Sequence, residues 1–302
     1  MDFDYLTEYD RAVGFLADRL REGTLVLFLG AGVSSGARLP NWSNLVESMR
    51  KEVGLPSKDL SSGADSLERA ADEIRRRFYP ADEPGFAELV QKCLYRGTSL
   101  DDSVLGDRLL TALGALLMGS RRGSVRRIVT FNFDSVLESY IWLNGLVPQV
   151  VLQPPVDEGA EDVRIYHPHG FLPHPDLKIR GSDFVMLGSK SINLRIGVPY
   201  DPWNELLRHI LSTGVGLFVG LSVDSFRDRS LAPLLTAVGE GLNARRPTGF
   251  WVLKNEGAND SEVDKELLDC KIVPLRLPGF PEVPKLLLDI CQRAAQTIPV
   301  AG

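Results

Sequence analysis

Four short polar segments of this 302-residue chain hold the side chains with chemical potential. Gly30-Ala31-Gly32 and Ser34 follow the apolar run Leu25 to Leu29. Asn132 and Asp134 lie in Thr130-Phe131-Asn132-Phe133-Asp134, and His169 lies in His167-Pro168-His169-Gly170. Gly220 and Ser222 open Gly220-Leu221-Ser222-Val223-Asp224. Glycines after a strand allow a tight turn and let the main chain approach a ligand with no Cβ in the way. Backbone N–H groups of such a turn, backed by a helix N-terminus, suit a pyrophosphate, and Ser34 adds a hydroxyl. Asn132 has an amide donor and an acceptor, so it can orient a sugar or an attacking water. Histidine titrates near neutrality, which makes His169 the natural general base. Asp134 supports the loop or, like Asn132, caps the helix that follows. His167, before a proline, is read as structural. His174 and His209 are read as loop and helix-surface residues, and Trp42 as a packing residue.

These segments need strands to deliver them. Leu25 to Leu29 is apolar without alternation, as in a central parallel strand covered on both faces. Similar runs precede the other three segments, and further strands are expected at Val147 to Leu152, Thr248 to Leu253 and Lys271 to Leu275. Helical patterns alternate with them: residues 4 to 20, Ser135 to Asn144, Tyr200 to Leu211, Arg229 to Gly241 and Glu282 to Gln296. Asn44 and Glu47, three apart, predict a capping box for a short helix ending near Val53. The alternation implies an α/β fold with a doubly wound parallel sheet. Residues 57 to 120 look helical throughout and are expected as an insertion, over the ligand edge, within a single domain of residues 1–302. In such a sheet ligands bind beyond the carboxyl ends of the strands, so all four segments should meet in one crevice.

Composition narrows the class. The formal charge of −6 argues against a generally basic nucleic-acid surface, leaving Arg121-Arg122 with Arg126-Arg127 as a local patch. Three cysteines, Cys93, Cys270 and Cys291, form no CxxC pair, which excludes a disulfide framework and a four-cysteine zinc site. No metal is expected. The acidic start and the absence of any apolar stretch of about 18 residues predict a cytoplasmic chain without a membrane span.

Taken in this order and spacing, GAGVS, TFNFD, HG and GLSVD resemble the sirtuin family, specifically its bacterial sirtuin-like NAD-hydrolase branch. The resemblance runs from about Gly23 to Leu277. It implies a Rossmann-like, sirtuin-like sheet and NAD as substrate. Asn132 and His169 would be catalytic. Gly30, Ala31, Gly32, Ser34, Asp134, Gly220 and Ser222 would contact the dinucleotide. The missing cysteine module departs from the deacetylase pattern and puts peptide deacetylation in doubt. The implied function is an NAD glycohydrolase of antiphage defence, acting by NAD depletion. Its partners would be further copies of the chain or a separately encoded sensor, an Argonaute-like or helicase-like ATPase. An NAD-dependent deacylase or ADP-ribosyltransferase, or a non-catalytic NAD or ADP-ribose sensor, remain as alternatives.

Overall fold

The computed structural model describes residues 3–57, 64–100, 105–119, 122–156, 159–177, 179–182, 185–187, 201–226, 231–241, 246–257 and 260–296, without the side chains of residues 64, 65 and 224. Seven parallel strands form one sheet: β1 Leu25–Leu29, β2 Arg127–Thr130, β3 Pro148–Val151, β4 Val163–Tyr166, β5 Val215–Val219, β6 Gly249–Lys254 and β7 Ile272–Leu277. Their spatial order is β3-β4-β2-β1-β5-β6-β7, with Leu27 of β1 between Ile128 of β2 and Leu217 of β5. The chain builds one half from β1 through β4 and then returns beside β1, which places the switch of direction between β1 and β5. That is where an open parallel sheet leaves a crevice beyond its strand ends.

The unbroken apolar strands are apolar because both faces are covered. All five residues of β1 are buried. Leu25, Leu27 and Leu29 face helices α1 Tyr9–Arg21, α5 Arg108–Leu117, α6 Val136–Leu143 and α11 Val283–Gln296. Val26 and Phe28 face α7 Pro202–Thr213 and α9 Ala232–Gly241, where Phe28, Phe218 and Trp251 form a continuous stack with centroid separations of 4.6 and 4.7 Å. Each buried Leu or Phe on these faces contributes about 1.5–3 kcal/mol.

A third layer of helices stands at the carboxyl end of the sheet: α2 Trp42–Glu52, α3 Ala64–Phe78 and α4 Glu83–Leu94. Leu45, Met49, Ile74, Phe86, Val90 and Leu94 give it a core of its own, joined by Leu172 and Leu187 from the segment after β4. The stretch expected as one helical insertion therefore divides. Its last helix, α5, sends Leu110, Leu113 and Leu116 into the sheet core, because its apolar run packs on α11 and α6. The start of α2 also differs from the expected capping box. Asn41 is the cap, accepting from the Asn44 N–H at 2.9 Å, so Asn44 donates its backbone to a cap three residues upstream. Asp82, Asp107 and Asp201 cap α4, α5 and α7 in the same way.

The arginine patch is partly consumed by structure. Arg122 donates to the Ala115 carbonyl and Arg127 donates to Thr213 Oγ1 at 3.0 Å, while Arg121 lies outside the described residues. His174 is buried in its loop, with its ring edge-on to Tyr95. No helix among the described residues is long and apolar enough to cross a membrane.

Candidate functional site

A cavity of about 600 Å³ opens at the carboxyl ends of β1, β2, β4 and β5, within the range of roughly 300–1,000 Å³ usual for small-molecule sites. The strand ends contribute Gly30 to Gly32, Ser34, Asn132, Asp134 and His169, and the helical layer contributes Trp42, Asn44 and Leu94. Seven of the nine residues expected from the sequence are thus brought together. Gly220 and Ser222 are not in the lining, although Leu221 and Ser225 are.

Gly220 sits beneath the glycine turn. Its carbonyl accepts the Gly32 N–H at 3.0 Å, and its φ of 73° needs glycine. A Cβ on Gly32 would lie 2.8 Å from Gly220 Cα. The two glycine segments are therefore small because the turn after β1 packs backbone to backbone on the turn after β5. Ser222 is exposed and bonded to Ser225 Oγ at 3.1 Å, so it supports the short helix α8 Val223–Phe226.

The local hydrogen bonds also revise the expected pyrophosphate cradle. The Gly30 N–H donates to the Val219 carbonyl and the Gly32 N–H to that of Gly220, so both amides are engaged in holding the turn to β5. The helix behind the turn is a seven-residue 3₁₀ segment, Ala31–Ala37, ending at Arg38 with φ 56°. Ser34 donates its hydroxyl proton to Asp134 Oδ1 at 3.0 Å rather than to the cavity, because the buried carboxylate needs donors.

Asn132 ties the motifs together. Its side-chain amide donates to the Gly30 carbonyl and to Ser34 Oγ, each at 3.1 Å, which leaves its Oδ1 as acceptor at the cavity. Its own N–H donates to Thr130 Oγ1 at 3.2 Å. His169 is half-buried, its ring 5.0 Å from that of Phe131, and its carbonyl accepts the Met186 N–H at 2.8 Å. Trp42 packs on the helical layer and also forms cavity wall. Asp183 and the side chain of Asp224 lie outside the described residues.

Glu138 belongs to none of the motifs that stand out in the sequence. Its side chain has no exposure and lies 2.8 Å from His167 Nε2, equally buried. A glutamate inside Val136–Leu143, where apolar residues face every direction, signals a carboxylate that must find a buried partner. Tyr95 also stands outside those motifs. It receives the Ser135 N–H at 2.9 Å and donates to the Leu172 carbonyl at 2.7 Å, fastening the helical layer to two site loops. Burial pushes the Tyr95 hydroxyl well above the ordinary phenol range.

Burial raises Asp134 to about 6, while the bonds from Ser34 and the Val136 N–H oppose the shift. The folded value stands above the unfolded one, so the charged form costs stability above pH 6 and the cost vanishes below pH 4. Asp134→Asn is expected to stabilise the protein by about 3 kcal/mol at pH 7–8, because an amide oxygen still accepts both hydrogen bonds. The gain should shrink as pH falls from 6 to 4. Urea unfolding of both proteins across this range checks it, and a pH-independent difference would contradict the assignment.

Among the described residues no group of three or more His, Cys, Asp or Glu side chains is placed to hold a metal ion.

Residues 126–275 match the family model of the SIR2-like domain. That match runs from β2 into β7 and so includes Asn132, His169 and Gly220. Defense-associated sirtuin 2 of Bacillus subtilis is 22% identical over 227 residues, covering 70% of this chain and 19% of that protein. This chain thus spans a small part of the curated relative's length. With the parallel sheet and the meeting of the motifs at its switch point, these similarities support a SIR2-like domain over residues 126–275 and a sirtuin-like reading of the chain.

Proposed function

We propose that the chain hydrolyses NAD to nicotinamide and ADP-ribose. The observation that carries this reading is that the turn after β1, the Asn132 Oδ1 acceptor and His169 share one cavity at the switch point of a SIR2-like sheet. In the proposed reaction the bond between ribose C1′ and the nicotinamide nitrogen breaks, and its electron pair leaves on that nitrogen. Positive character builds on the sugar, as in glycoside hydrolysis. Nicotinamide leaves neutral, so no general acid is required. Water adds its oxygen to C1′ and gives a proton to His169, which releases it to solvent. Asn132 Oδ1 orients the water or the ribose hydroxyls. Gly30, Ala31 and Gly32 form the cavity wall against which the pyrophosphate lies, and the apolar wall of Trp42, Leu94 and Leu187 excludes competing water.

Purified chain incubated with NAD, with and without an acylated peptide, and followed by free nicotinamide tests the reading. Release without peptide supports hydrolysis, release only with peptide indicates a deacylase, and binding without release indicates a sensor. Turnover is expected without added metal.

The name of the Bacillus subtilis relative extends this proposal to defence, with NAD depletion in the cytoplasm as the effect on an infected cell. An unregulated NAD hydrolase poisons its host, so activity is expected to depend on assembly with further copies or with a separately encoded sensor, an Argonaute-like or helicase-like ATPase. Light scattering and specific activity measured against concentration check this. A monomer with full, concentration-independent turnover would sink the idea.

A further inference from the structure

We propose that His167 and Glu138 are positioning residues for the hydrolysis proposed above: the buried pair holds Asn132 by its main-chain carbonyl, and the His167 carbonyl holds the turn that carries His169. This inference rests on the NAD-hydrolase reading for its kinetic part and on geometry alone for its structural part.

His167 Nδ1 lies 3.1 Å from the Asn132 carbonyl oxygen, and Nε2 lies 2.8 Å from Glu138 Oε1. A carbonyl only accepts, so Nδ1 carries a proton. One more proton must occupy the short contact between Nε2 and Oε1. Whether it rests on the ring or on the carboxyl group, the pair is neutral in sum and the Nδ1–H stays aimed at Asn132. Neither side chain lines the cavity and neither has exposed surface, so the pair does not reach a substrate.

Its effect passes through what it holds. The main chain of Asn132 is fixed by His167, and its side chain is fixed by Gly30 and Ser34. The Gly170 N–H donates to the His167 carbonyl at 3.1 Å, closing the turn on which His169 faces the cavity. The His167 N–H continues the ladder to the Val151 carbonyl at 3.0 Å, anchoring the residue to the sheet. One histidine therefore sets the spacing between the two proposed catalytic groups. Glu138 sets the orientation of that histidine from the first turn of α6, in the manner of a carboxylate that fixes a ring's tautomer.

The test uses the whole chain with two single variants and a double one. Glu138→Gln keeps the arrangement, because its amide donates to Nε2 of a neutral ring whose Nδ1–H still reaches Asn132. His167→Phe keeps a ring packed on Phe171, 4.7 Å away, and loses the donor. Glu138→Leu with His167→Phe removes the pair without stranding a buried charge, so it remains informative where a single variant fails to fold. Glu138→Gln is expected to stay within about threefold of wild-type kcat with an unchanged pH profile, while the double variant loses about 10- to 100-fold in kcat at similar NAD affinity by calorimetry. Full kcat in the double variant, or equal damage from Glu138→Gln, overturns the proposal. The ¹⁵N spectrum of histidine-labelled protein gives a readout independent of turnover. One of the four histidines should show an exchange-protected Nδ1–H that disappears in His167→Phe. A His167 ring protonated only at Nε2 overturns the arrangement. If wild-type protein releases no nicotinamide, the hydrolase reading fails and the ¹⁵N result still decides the pair.

Discussion

Replacing His169 or Asn132 with alanine is expected to reduce nicotinamide release by about 10²–10⁴-fold each, the usual worth of a positioned proton acceptor or an orienting group in the transition state. The two losses should look alike in kcat and differ in their structural cost. His169 is half-buried in a turn held by main-chain bonds from Gly170 to His167 and from Met186 to His169, so its removal leaves that turn and the fold intact. Asn132 is also a structural tie, donating to Gly30 and Ser34. Its loss should leave the protein folded and less stable by about 1–2 kcal/mol, since the Gly30 carbonyl still accepts the Val33 N–H and Ser34 still bonds Asp134. Steady-state assays paired with thermal unfolding check both. Near-wild-type turnover in both variants would show that the assigned site is wrong.

The second large effect is expected from a single methyl group placed between the two glycine turns. In Gly32→Ala the new Cβ would lie 2.8 Å from Gly220 Cα, and in Gly220→Ala it would lie 2.9 Å from the Val33 nitrogen. Both obstacles are backbone, which cannot rotate aside, and Gly220 adds the strain of φ 73°, about 1–2 kcal/mol for a residue with a Cβ. The turn after β1 must therefore shift away from β5, carrying the Gly30 carbonyl and Ser34 away from Asn132. Displacement of about 1 Å at a reacting centre costs on the order of 10²-fold, so turnover in either variant should fall at least that far, with weaker NAD binding as well. Gly14→Ala is the control. Gly14 lies within α1, a Cβ there meets nothing within 4 Å, and the same substitution should stabilise the protein by about 0.5–1 kcal/mol. Wild-type turnover in Gly32→Ala would show that the two turns need not touch.

Much of the architecture is carried by local pattern. The run Leu25 to Leu29 has no polar alternation because both of its faces meet helices, as suits a strand inside a parallel sheet. The polar segments after β1, β2, β4 and β5 follow from the same short-range signal, and the rule that ligands bind beyond strand ends was enough to expect their convergence. Asn41 as the cap of α2, in place of Asn44, shows where local pattern has too little resolution. Both are cap-forming residues, and the choice between them depends on how the helix docks on α3 and α4.

What the sequence by itself determined, then, is the parallel sheet, the strand ends and the residues gathered there, because hydrophobic periodicity and turn chemistry act over a few neighbouring residues. Only the tertiary structure decided what those residues bond to. The Ser34 hydroxyl is committed to Asp134 across 100 positions, and Asn132 reaches the Gly30 carbonyl across 102. Gly32 is small for the sake of Gly220. His167 finds Glu138, 29 positions away, in a site without solvent. Buried polar groups must be paired wherever the fold brings a partner within reach. That partner is fixed by the packing of strands and helices distant in the chain, so residue type and spacing alone do not reveal it.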